Sequence, residues 1–257
     1  MSEDLPEHVS VNRCYWDGMA DQWVAAGERH WAADPAWGTW SIPNEDAELL
    51  PDKMSGLRAI ELGCGTGYVS AWMVRRGAHV VAIDNSQRQL DTCSRLQDEH
   101  DLHFETIHGN AETVPYPDAH FDFAISEYGA AVWADPYQWI PEAARLLCAG
   151  GQLVFLSNSP IQLLCVPQDG SDTTRQLARP YFGMHRLDWR NVEVDLGGIE
   201  FNLPISEWVS LFNQTGFAIE DYLELTAPTS AEGTRFGVPA EWARHFPGEQ
   251  VWKLRKR

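Results

Sequence analysis

The segment Ala59-Ile60-Glu61-Leu62-Gly63-Cys64-Gly65-Thr66-Gly67-Tyr68 runs from an apolar stretch through three glycines into a helix-forming one. The apolar run reads as a buried strand, and the glycines allow a sharp turn with no Cβ to hold a ligand away from the backbone. Amides at the start of the next helix favour a carboxylate or phosphate. A nucleotide-like ligand at the carboxyl edge of an open α/β sheet is the expectation. The spacing is G-x-G-x-G; a dinucleotide turn needs glycine where Tyr68 stands, and no lysine followed by Ser or Thr makes it a phosphate loop. Glu61, just ahead of the turn, suits an ammonium group or ordered water and repels a pyrophosphate. Seventeen residues after Gly67, Val80-Val81-Ala82-Ile83-Asp84 ends a second apolar run in an acid that can accept from both hydroxyls of a ribose.

The alternation extends outward. Strands are expected at 58–62, 79–83, 103–107, 121–125 and 151–156, with helices at 68–76, 86–100 and 136–148 between them. Such alternation implies parallel pairing through right-handed crossovers, hence an α/β, doubly wound, mostly parallel sheet. Upstream, residues 7–32 carry Val11, Tyr15, Met19, Trp23 and Ala26 at helical spacing, and Pro35, Gly38, Pro43 and Pro51 then break the chain. Downstream, 192–194 and 199–203 flank Gly197-Gly198 and predict a hairpin. A helix follows Pro204 and stops by Gly216, and 217–225 and 250–254 read as two final strands. One domain over 1–257 accommodates all of this: a helical lid at 1–57, a ligand-binding core at 58–157, an insertion after the fifth strand at 158–203, and a C-terminal helix with final strands at 204–257.

Composition narrows the partners. With 37 acidic and 19 basic side chains among 257 residues the net charge is −18, which opposes a broad nucleic-acid surface. No apolar run approaches the ~20 residues of a membrane span, and the acidic stretch Met1–Ser10 lacks the plan of a signal peptide. Five cysteines with no close pair fit a reduced, cytoplasmic protein. No metal is demanded: His100 and His103 straddle a helix–strand boundary, and no H-E-x-x-H is present.

Segment 58–157 resembles a class I S-adenosylmethionine-dependent methyltransferase, most similar to the small-molecule branch related to quinone-biosynthesis enzymes. That resemblance implies a Rossmann-like, seven-stranded sheet and S-adenosyl-L-methionine as donor, with S-adenosyl-L-homocysteine as product. Glu61, Gly63, Gly65 and Gly67 correspond to the family's first motif, which cradles methionine and ribose. Asp84 matches the acid on the ribose hydroxyls, with Asn85 and Ser86 beside it. Gly109-Asn110-Ala111-Glu112 matches the adenine loop, where the family more often has Asp; Asn110 can still accept from the adenine amino group. The end of the fourth strand, Ser126-Glu127-Tyr128, faces the transferable methyl in this scheme, and Tyr15 and Trp16 of the N-terminal helix touch cofactor by the same analogy.

Methyl transfer is an in-line displacement that needs alignment and water exclusion, with a base where the nucleophile carries a proton. Substrate selection is expected outside the sheet. Five of the twelve tryptophans (Trp16, Trp23, Trp31, Trp37, Trp40) lie within 16–40 and form a candidate aromatic lid, or simply pack on the sheet edge. Tyr128, Trp133 and Tyr181 are the candidate substrate wall, and His185 is the candidate base. The acceptor is expected to be a small aromatic or apolar metabolite, on a monomer or homodimer. Nucleic-acid methylation is disfavoured: Ser126-Glu127-Tyr128-Gly129 replaces the Asp/Asn-Pro-Pro-aromatic grip on a flipped base. A catalytically silent S-adenosylmethionine-binding module, lacking a substrate cavity, and an NAD-dependent oxidoreductase are the other classes weighed.

Overall fold

The computed structural model describes residues 5–194 and 197–257; the parts of the N-terminal segment at 1–4 and of the 158–203 insertion at 195–196 lie outside it. Seven strands form the main sheet: β1 Arg58–Leu62, β2 His79–Asp84, β3 Glu105–His108, β4 Phe121–Glu127, β5 Leu147–Asn158, β6 Phe217–Leu225 and β7 Glu249–Lys256. Their spatial order is β6-β7-β5-β4-β1-β2-β3. β1 to β5 run parallel, and β7 is antiparallel to both β5 and β6. The chain leaves β1 first toward β3 and later returns to β4, so the order reverses between β1 and β4. A crevice opens outside the carboxyl ends of strands at such a switch point.

The central strands are apolar on both faces because both are covered. On one face Ile60, Leu62, Ala124 and Phe155 pack with Trp139 and Ile140 of helix α4 (Pro136–Leu146) and Trp208 and Phe212 of helix α5 (Ile205–Gln214). On the other, Ala59, Phe123, Ile125 and Val154 meet Val69, Trp72 and Met73 of helix α2 (Tyr68–Arg75), with Trp37 and Leu49. The alternation of neighbours along each strand is the period of two expected of a pleat. Helix α3 (Gln87–Glu99) starts with Ser86 as N-cap, its Oγ accepting from Gln89 N.

Helix α1 (Glu7–Ala32) spans the stretch read as helical, but its fully buried positions are Val9, Asn12, Ala20, Gly27 and Trp31. The expected apolar stripe of Tyr15, Trp23 and Ala26 faces a cavity and is half-buried. α1 is tied down along its length. Asn12 Nδ2 donates to the carbonyls of Trp133 and Ile199 and its Oδ1 accepts from Ile199 N, while Trp31 Nε1 donates to Thr66 O. A Cβ on Gly27 would strike Thr66, so this crossing needs glycine.

The expected hairpin differs in its first strand. Arg186–Asp188 pairs antiparallel with Ile199–Phe201, whereas 192–194 is not a strand: the amides of Glu193 and Val194 donate to Asp169 O. Two further two-stranded ribbons, Ala36–Trp37 with Ile42–Pro43 and Thr234–Arg235 with Val238–Pro239, lie over the binding edge. Their two-residue strands are too short for a period of two to reveal. No helix among the described residues is long and apolar enough to cross a membrane.

Candidate functional site

At the end of β1 the glycine turn is fastened to β2. Gly63 N and Cys64 N donate to Ile83 O, and Gly65 N donates to Asp84 Oδ2 at 2.7 Å. The other Asp84 oxygen accepts from Ser86 N at 2.7 Å. Each oxygen of Asp84 therefore has one backbone partner and a remaining lone pair, and burial pushes the carboxyl up from its ordinary value. Gly63 has φ 79°, and a Cβ there would collide with Gly129 backbone. The strand ends of β1 and β4 thus meet main chain to main chain, and a Cβ on Gly65 would point into open space.

A cavity of about 430 Å³ lies along this edge, within the ~300–1,000 Å³ usual for small-molecule sites. Of the residues singled out from sequence, Tyr15, Trp16, Glu61, Gly63, Gly65, Asp84, Asn85, Asn110, Ala111, Tyr128 and Trp133 line it. Glu61 is buried and accepts from Ser70 N (2.8 Å) and Ser70 Oγ (2.5 Å); burial raises its pKa to about 8 despite those bonds. Asn85 is partly committed to α1, donating to Val9 O and accepting from Arg13 Nε. Asn110 Oδ1 accepts from Glu112 N at 3.0 Å.

Five expected site residues do not line the cavity. Gly67 is the N-cap of α2, its Cα against Cys93 Sγ where a Cβ cannot fit. Glu112 turns away to accept from His8 Nε2 (2.6 Å) and Asp135 N (2.8 Å), fastening α1 to the start of α4. Ser126 is buried; its Oγ donates to Leu62 O and accepts from Ala131 N. Tyr181 accepts from Ile205 N through its hydroxyl and packs with Leu163 and Met184. His185 pairs with Asp135 Oδ1 at 2.9 Å beside a separate, shallower hollow, so as placed here it is not a base for this cavity.

The cavity also gathers residues that the sequence did not single out: Thr39, Gln162, Phe236 and Glu249 line it. Trp40 of the tryptophan-rich stretch and Glu127 at the fourth-strand end line it too, as do Tyr68 and His30. Tyr68 hydroxyl donates to Glu127 and Tyr128 hydroxyl to Glu249. Gly38 N reaches Glu127 Oε1 at 3.4 Å and Thr39 N reaches Glu249 Oε1 at 2.7 Å. Burial raises Glu127 to about 7 and raises Glu249 too. Phe236 stacks on Trp23 (5.9 Å, 8°), and Arg235 lies over the Trp40 ring while donating to Thr39 O. The ribbons and α1 thus lean on one another across the opening.

A doubly wound sheet with an antiparallel last strand, a glycine turn and an acid closing the neighbouring strand defines a class that binds a nucleoside at the switch point. Comparison with known proteins identifies the class further. Residues 60–155 match the methyltransferase domain family Methyltransf_11. Ubiquinone biosynthesis O-methyltransferase of Maricaulis maris is 34% identical over 100 residues, 38% of this chain and 39% of that one. An uncharacterised methyltransferase of Mycobacterium tuberculosis is 30% identical over 167 residues, 60% of this chain and 66% of that one. An S-adenosylmethionine-dependent methyltransferase structure from Mesorhizobium loti shares the fold at TM-score 0.63 and 21% identity, covering 82% of this chain and 95% of that one. The chain belongs to the class I S-adenosylmethionine-dependent methyltransferases. It spans 39% and 66% of the length of the two curated relatives just named.

Proposed function

We propose that this protein transfers a methyl group from S-adenosylmethionine to a small acceptor with an aromatic or apolar body. The observation that carries this is the continuity of one cavity from the Asp84–Gly65 corner past Tyr128 to Trp40, Trp189 and Phe236. A protein that only bound the donor would have no use for the space beside Tyr128.

The donor-side residues fit such a ligand. Asp84 retains lone pairs for two hydroxyls, Asn110 and Ala111 line the place of a base, and Gly65 presents backbone without a Cβ. When bound, S-adenosylmethionine supplies an activated methyl on a positively charged sulfur. Tyr15, Trp16, Trp23 and Trp133 form an aromatic wall that excludes water and presents ring faces to an apolar acceptor. Glu127, in the lining at the fourth-strand end and bonded to Tyr68 and Gly38 N, is a group to which a proton can pass, its carboxyl raised by burial to about 7.

We infer further that residues 1–57 and 158–203 serve as coverings of a single domain, and that the five cysteines, all free thiols, suit a reducing compartment. Calorimetric titration with S-adenosylmethionine, S-adenosylhomocysteine and NADH tests the assignment. Micromolar binding of the first two and none of NADH is expected. Failure of both sulfur ligands on folded protein overturns it.

A further inference from the structure

Across the sheet edge the order of strand ends is Asp84 (β2), Gly63 (after β1), Glu127 (β4), Asn158 (β5) and Glu249 (β7). If the nucleoside lies at Asp84, the β4–β7 end is the acceptor half, and it is acidic. Every bond to its two carboxylates comes from a neutral donor: Tyr68 and Gly38 to Glu127, Tyr128 and Thr39 to Glu249. Such donors satisfy lone pairs without cancelling charge. None of the described residues lining the cavity is Lys or Arg.

A second observation points the same way. Glu249 is 2% exposed and its Oε2 has no hydrogen-bond partner; the same holds for Oε1 of Gln162, also in the lining. A buried carboxylate oxygen without a donor is costly. Gly38, with φ 68°, lets Trp37-Gly38-Thr39-Trp40 wrap this carboxylate, since a Cβ there would overlap it. The chain thus builds a pocket with acceptors left open beside Tyr128 and Trp40, the latter with one face covered by Arg235. Arg235, which donates to Thr39 O, is outside the lining; an ammonium group within the cavity brings positive charge to the carboxyls themselves and several N–H donors.

We propose that the acceptor carries a cationic amine on its aromatic or apolar body, held between Glu127 and Glu249 next to the methyl-donor position. This rests on the methyl-transfer assignment above. Sinefungin, which carries an amine-bearing carbon in place of the methyl-bearing sulfur, extends a cation to that place and serves as the probe. In calorimetry it is expected to bind about tenfold or more tighter than S-adenosylhomocysteine and tighter than S-adenosylmethionine. Glu249→Gln and Glu127→Gln should each bring the sinefungin preference to within about threefold, with little change in S-adenosylhomocysteine affinity. Should either variant fail to fold, the wild-type ranking of the three ligands still decides. Equal binding of sinefungin and S-adenosylhomocysteine overturns the proposal while leaving methyl transfer intact. So does S-adenosylmethionine matching sinefungin, because the carboxylates would then serve the sulfonium. Failure of all three ligands removes the methyl-transfer assignment itself.

Discussion

Tyr128 has φ 55°, a left-handed conformation that aromatic residues rarely adopt and that costs of order 1–3 kcal/mol. Its hydroxyl is bound to Glu249 and its amide to Leu156 O, so neighbours on two strands hold it there. Asp84 is the simpler case, because its role follows from one strand end. Asp84→Ala removes an acceptor for hydroxyls and the anchor of Gly65 N; S-adenosylhomocysteine affinity should fall roughly 10–100-fold, on ~1.5–3 kcal/mol for hydrogen bonds to a charged group. Wild-type affinity by calorimetry would sink this placement of the ribose. Asp84 was legible because an acid closing a parallel strand lies at the binding edge. Glu249 was not: β7 runs the other way, so its binding-edge end is its first residue, opposite Asn158. Nothing in the residues around Glu249 marks that reversal of direction, which only strand pairing reveals. Glu112, Ser126 and His185 misled for another reason. Glu112 and Ser126 lie close in sequence to the edge and His185 lies in the insertion beside it, and each is spent on a structural bond that only tertiary packing reveals.

At the scale of elements, the glycine turn and α1 are the two joints that shape the cavity. Gly63→Ala must take a left-handed backbone and push on Gly129, which predicts a loss of about 2–4 kcal/mol in chemical denaturation. An unchanged midpoint would mean that β4 yields easily at its end. On α1, Asn12→Ala leaves the buried Ile199 N–H without an acceptor and frees two carbonyls. A loss of about 2–3 kcal/mol is expected, together with weaker ligand binding, since α1 forms one wall. If hydrogen exchange at Ile199 is unaltered in this variant, α1 is not fastened as described. The parallel core was legible throughout, because buried strands announce themselves as short apolar runs between helices. The helix boundaries of α1 were legible too, but not its buried face: Tyr15 and Trp23 line a cavity, which periodicity cannot separate from a packed core.

For the molecule as a whole, enclosed carboxyls make stability depend on pH. Burial lifts Glu61 to about 8 and Glu127 to about 7. An acid whose folded pKa is raised holds its proton more tightly folded than unfolded. That contribution is fully present below the ordinary value near 4.5 and is lost as pH rises through the folded values. The unfolding temperature of the ligand-free protein should therefore fall between pH 5 and 8.5, and Glu127→Gln should shallow that fall. Exposed carboxylates are already ionised above pH ~6, so the net charge of −18 does not produce the same slope. A flat profile in wild-type protein would show that these groups are solvated.

The bond from Thr39 N to Glu249 joins residues 210 apart, and the Asn12–Ile199 pair joins residues 187 apart. Contacts of such separation form late, because the intervening chain must be ordered first. During synthesis the donor corner, from β1 to β3, can assemble while the remainder is still being made. The opposite half waits for β7, which is made after the other six strands of the sheet. A nascent or truncated chain ending before residue 249 would have its glycine turn and Asp84 but neither Glu249 in the cavity lining nor its bond to Tyr128, and α1 would lie over an unfinished wall.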